Sequence, residues 1–144
     1  MSTAKKTAAY DHTSRVHPEA QMSFGHSMMH ALHGVKHVLM HERNARIHLW
    51  TAVLALLLGV VLRVKDTELA AVLFAVVIVF LAEIFNTAIE RTLDLIDIKE
   101  NPRIKTIKDM AAGGVLLASL AAACIGFAIY MPYLIRVLEA IWGS

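Results

Sequence analysis

The apolar residues of this chain are gathered into three long runs, and that gathering decides most of what it can fold into. The run from Met110 to Ile135 holds 26 residues without one charged side chain. A hydrocarbon core of roughly 30 Å asks for about 20. The second run, Leu69 to Ala82, meets Glu83 and goes on through Ile84, Phe85, Asn86, Thr87, Ala88 and Ile89 to Glu90. The first, Leu49 to Leu62, has 14 uncharged residues. It would make only about 21 Å of helix at 1.5 Å per residue. Trp50 is therefore expected in the interface, with Arg63 and Lys65 snorkelling from the other end. Apolar residues make up 57% of the chain and charged residues 18%, which disfavours disorder and an ordinary soluble core. A length of 144 residues allows one bundle and no second catalytic domain.

Basic residues alternate with these runs. Six precede the first, two lie in the first connection, five in the second and one in the C-terminal tail. Three spans would place 11 on one side and 3 on the other. The positive-inside rule then puts the N-terminus and the second connection in the cytoplasm. A formal net charge of +2 is too weak to mark a nucleic-acid partner. Cys124 is the single cysteine, so neither an internal disulfide nor a cysteine zinc site is expected. Residues 1–22 are polar and lack the apolar stretch of a cleavable signal. They read as a disordered, solvated tail ahead of one membrane-integral domain over residues 23–144.

Between tail and first span lies a segment of different period. At 100° per residue from His26, residues Met29, Leu32, Val35, Leu39 and Met40 fall at about 180–320°. His30, His33, His37 and His41 fall at about −20° to +60°. The pattern predicts an amphipathic helix over Phe24 to Met40, lying in the cytoplasmic interface. Its histidines read as a water-facing stripe, partly charged near pH 6.5, rather than as a transition-metal site.

The strongest chemical feature is an acidic stripe. Glu83, Asn86, Glu90, Asp94 and Asp97 are spaced by 3, 4, 4 and 3 residues. On a helix they share a face about 80° wide. Charge inside a membrane helix is costly and is usually functional. Carboxylates near an interface can hold Mg²⁺ together with phosphate oxygens and water. A carboxylate nearer the apolar boundary, here Glu83, can take a proton from a lipid hydroxyl. Glu42, at the junction of the amphipathic helix and the first span, lies on the same predicted side and could complete a metal site. Position alone makes Lys108 a positive-inside anchor. The chain has no Gly-x-x-x-x-Gly-Lys-Ser/Thr loop, no Gly-x-Gly-x-x-Gly and no Gly-x-Ser-x-Gly. Any use of ATP would occur without a familiar soluble nucleotide fold.

Two strings carry a resemblance. Ala82-Glu83-Ile84-Phe85-Asn86-Thr87-Ala88-Ile89-Glu90, followed by Asp94, resembles the signature of the prokaryotic diacylglycerol kinase family. So does Lys108-Asp109-Met110-Ala111-Ala112-Gly113. The similarity runs from about Phe24 to Ile129. It implies a small all-α integral membrane kinase with three transmembrane helices and an interfacial helix. It further implies a homotrimer in the bacterial inner membrane, with active sites between subunits, passing the γ-phosphate of ATP to a lipid hydroxyl. By motif, Glu83 matches the catalytic base, and Glu42 and Glu90 match the Mg²⁺-binding carboxylates. Asn86, Glu90, Asp94, Lys108, Asp109 and His30 match positions at or beside the nucleotide. On this resemblance Lys108 becomes a site residue rather than an anchor. His30 stands where some members carry an aromatic residue, and Ser23 where some carry arginine.

Within the family, Glu42-Arg43-Asn44-Ala45-Arg46-Ile47-His48 looks more like the undecaprenol kinases. The Pro102-Arg103-Ile104-Lys105 connection leans the same way. Undecaprenol is the slightly favoured substrate, and diacylglycerol the alternative. Two other classes stay open from the residues alone: a small ion or metal transporter lined by the acidic stripe, and a non-catalytic assembly subunit.

Overall fold

The computed structural model describes residues 23–96 and 101–143. The proposed tail over 1–22 and the last residue of the stripe, Asp97, lie outside the described residues. Four helices follow one another: α1 (Phe24–His41), α2 (Arg43–Val61), α3 (Asp66–Ile96) and α4 (Pro102–Trp142). Three of them, α2, α3 and α4, are long and apolar enough to cross a membrane. The chain is thus an all-helical protein of membrane type.

The helices outrun the apolar runs that announce them. α2 has 19 residues and starts at Arg43, so it reaches about 28 Å rather than 21 Å. The helix continues through Arg43, Arg46 and His48 because charged side chains do not end a helix; they end only its apolar stretch. α4 has 41 residues and begins at Pro102, so residues 102–105 are its first turn and not a connection. Asn101 fixes that start: its side chain accepts the Arg103 N–H at 3.0 Å, and Pro102 follows in the first helical turn. Proline there removes a donor that has no partner inside a helix.

The α2–α3 corner is equally specified. The Val64 N–H bonds the Gly59 carbonyl at 2.9 Å, and the Arg63 N–H bonds that of Val60 at 3.1 Å. This is a Schellman ending, which needs a left-handed residue just past the helix. Arg63 supplies it with φ 52°, in a conformation that favours glycine. The turn folds Val64 into a cluster with Val72 and Tyr130.

α3 is the central element, packing against both α2 and α4, while α1 packs against α2 and α3. Buried residues on α2 are small and seven apart: Ala45, Ala52 and Gly59. Small residues let helix backbones approach closely in lipid. A methyl group at Gly59 would meet Leu69 at 2.7 Å and the Tyr130 hydroxyl at 3.2 Å. The buried face of α3 runs Val72, Ala75, Val79, Glu83, Asn86. The acidic stripe therefore begins as the continuation of the packing seam: Glu83 and Asn86 turn inward, Glu90 is half-buried and Asp94 is exposed. Trp50, Leu54, Phe74, Phe85 and Leu117 point outward and are exposed. Cys124 is exposed and free.

Candidate active site

Where α1 ends, α2 begins and α3 approaches its C-terminus, the inward polar residues meet. Glu83 is 2% exposed and Asn86 7%. Glu83 Oε2 and Asn86 Oδ1 are buried with no hydrogen-bond partner. Buried acceptors normally have partners, and leaving one without costs about 1–3 kcal/mol. Neither oxygen is satisfied from within the chain. Asn86 Nδ2 donates to Glu90 Oε1 at 3.2 Å, which orients the amide and leaves its oxygen facing elsewhere. Glu42, Glu90 and His48 are all close enough to Glu83 to act on its charge.

Glu42 enters from the α1–α2 junction. Its backbone is extended, at φ −98° and ψ 123°, and its N–H closes α1 on the Val38 carbonyl. One residue thus ends one helix and starts the next, which holds its carboxylate in place. Arg91 Nη2 donates to Glu42 Oε1 at 2.7 Å. One turn on, Lys108 Nζ donates to Asp94 Oδ1 at 2.6 Å, tying the start of α4 to the end of α3.

Of the residues singled out by sequence, Glu42, Glu83, Asn86 and Glu90 come together, and Asp94 and Lys108 pair beside them. Asp109 and His30 are exposed and lie outside this hydrogen-bonded network. Sequence reasoning passed over Arg91, counting it only toward orientation. Its position directly after Glu90 was the available signal. Among the described residues, no group of three or more His, Cys, Asp and Glu side chains is arranged to hold a metal alone. His37 and His41 stack with ring centroids 4.2 Å apart, and His41 Nδ1 bonds the His37 carbonyl at 2.9 Å. Two members of the histidine face of α1 are thus engaged with each other.

An apolar cavity of about 560 Å³ lies between α2, α3 and α4. Ile47 and His48 line the end toward Glu42, Val79 stands one turn before Glu83, and Tyr130 lines the far end. Ser119 lines the wall, and its hydroxyl is buried without a partner. A cavity of this size and lining suits an apolar molecule with few polar groups.

Membrane-length helices, an apolar cavity between them and, one turn beyond its wall at Val79, the partnerless oxygens of Glu83 and Asn86 are what an integral-membrane enzyme acting on an apolar molecule would need. Comparison with known proteins agrees. Residues 29–130 match the prokaryotic diacylglycerol kinase family, and the chain belongs to it. It is 33% identical over 121 residues to undecaprenol kinase from Bacillus subtilis, covering 84% of this chain and 98% of that one. It is 32% identical over 113 residues to a diacylglycerol kinase from Synechocystis sp., covering 78% of this chain and 65% of that one. The protein is a lipid kinase of this family, with ATP as the phosphate donor.

Proposed function

We propose that the chain transfers the γ-phosphate of ATP to the hydroxyl of undecaprenol, giving undecaprenyl phosphate. The observation that carries the site is the buried Glu83, with one partnerless carboxylate oxygen, one turn beyond the cavity wall at Val79. A lipid hydroxyl donating to that oxygen would satisfy it. Glu83 would take the hydroxyl proton as the lipid oxygen bonds to the γ-phosphorus and the bond to the departing ADP breaks. The apolar cavity would hold the first part of the lipid chain and keep water out. Undecaprenol is preferred over diacylglycerol on the Glu42–His48 segment and on a relative matched over nearly its full length.

The donors suit a magnesium ion. Glu42 and Glu90 offer carboxylate oxygens, and the partnerless Asn86 Oδ1, on the residue hydrogen-bonded to Glu90, is a further hard donor that would have to turn toward the ion. Mg²⁺ favours one or two carboxylates, with phosphate oxygens and water filling the rest. Bound there, it would supply charge neutralisation on the transferring phosphate. Lys108 and Asp94 would position the nucleotide together with Asp109, and His30 would approach the adenine from α1.

The remaining parts of the proposal concern placement. α1 exposes Phe24, Met28, Leu32 and Met40; these would enter the cytoplasmic leaflet, with residues 23–144 as one membrane-integral domain. The exposed apolar faces of α2 and α4 would contact lipid and two further copies in a homotrimer of the bacterial inner membrane, N-terminus in the cytoplasm. Labelled γ-phosphate from ATP with Mg²⁺, offered to undecaprenol and diacylglycerol in parallel mixed micelles, tests the reaction. Preferential labelling of undecaprenol is expected. Preferential labelling of diacylglycerol would overturn the substrate, and no labelling by folded protein would overturn the activity.

A further inference from the structure

We infer that Arg91 is a positioning residue that holds Glu42 against bare metal and releases it when metal and nucleotide arrive together. The inference rests on Glu42 being a metal ligand. That carboxylate already has a cation: Arg91 Nη2 sits 2.7 Å from Glu42 Oε1. The two partners are unequal. The Glu42 side chain is 24% exposed and pinned by its helix junction, whereas Arg91 is 57% exposed. When the pair parts, Arg91 is the member free to move.

A divalent ion approaching Glu42 alone competes with the guanidinium for its charge, and an Arg91 that leaves Oε1 exchanges a carboxylate for water only. An ion arriving with a polyphosphate brings new anionic oxygens. Guanidinium groups bind phosphate as readily as carboxylate, through the same planar donors. Arg91 directly follows Glu90 on α3, so it flanks both proposed metal carboxylates and can exchange one anion for the other without leaving the site. The consequence is coupling: Arg91 opposes metal without nucleotide and favours the two together. Exposed ion pairs of this kind are weak, so the expected change in affinity is roughly 1.4- to 5-fold.

The test uses full-length protein in detergent with Mn²⁺ as the paramagnetic probe. Bound Mn²⁺ is read by electron paramagnetic resonance, first alone and then with a non-hydrolysable ATP analogue. Arg91→Met keeps the apolar stem and removes the charge. It should bind Mn²⁺ alone up to about fivefold more tightly and the analogue with Mn²⁺ more weakly than the wild type. Arg91→Lys should restore both affinities toward the wild type. A purely structural Arg91 would weaken both when replaced, and that result, or an unchanged affinity for Mn²⁺ alone, overturns the inference. Glu42→Gln separates the underlying reading. If it leaves Mn²⁺ binding intact, Glu42 is not a ligand and the inference falls with it; if it abolishes binding, the Arg91 variants decide alone.

Discussion

The two ends of α3 both bury polar groups, and they treat them in opposite ways. At the N-terminal end Tyr133 donates to Glu68 and accepts the Lys65 N–H at 3.3 Å. Arg136 lies 5.5 Å above the same ring, and Tyr130 donates to the Ala55 carbonyl at 2.7 Å. There Tyr130 and Tyr133 each spend their hydroxyl on a bond inside the fold. Further along α3, Glu83 and Asn86 are buried more deeply than Glu68 or Tyr133, yet each keeps an oxygen with no partner. A fold selected for stability alone would close such groups off. The first end holds helices together, and the second carries polar groups that the chain itself does not satisfy.

Glu83→Gln should sharpen this contrast most. It keeps the shape and removes the proton acceptor, so turnover should fall by about 10²–10⁴-fold. Stabilisation by Mg-nucleotide should survive, read as a rise in melting midpoint on adding nucleotide. Near-normal turnover in this variant would remove Glu83 as the base. Asn86→Ala comes next. Turnover should drop tenfold or more, since the candidate metal loses a donor and Glu90 its hydrogen bond, while losing that bond and the packed side chain costs about 1–2 kcal/mol of stability. A fall in stability with turnover intact would mean that Asn86 is only structural.

Tyr130→Phe probes the other end. Losing the bond to Ala55 should cost about 1 kcal/mol of stability, read by denaturant or thermal unfolding in micelles, with phosphate transfer little changed. A large fall in transfer would contradict the division between the ends. The smallest effect should come from Arg63→Gly, which relieves the left-handed strain of the corner. It should gain up to about 1 kcal/mol with transfer unaltered, and a loss of stability would mean that the arginine side chain matters there.

Much of this was legible in the residues. The three long helices followed from uninterrupted apolar runs, and the inward polar face of α3 from intervals of three and four. Helix lengths were not legible, because a run ends at its first charge whereas hydrogen bonds carry α2 back to Arg43 and α4 back to Pro102. Pairings were hidden for a different reason. Arg91 meets Glu42 across 49 residues and Tyr130 meets Ala55 across 75, and no local period encodes such contacts. Glu68 shows the same limit: by composition it resembles Glu83, and only the partner Tyr133 makes it structural.

The central claim is that the carboxylate of Glu83 is kept for chemistry at the expense of stability. The most direct test is the melting midpoint of Glu83→Leu against the wild type in the same micelles without nucleotide. Removing a buried acceptor that lacks a partner should leave the midpoint unchanged or raise it. A midpoint that falls as far as that of Tyr130→Phe would show that Glu83 holds the fold together, and would contradict the account.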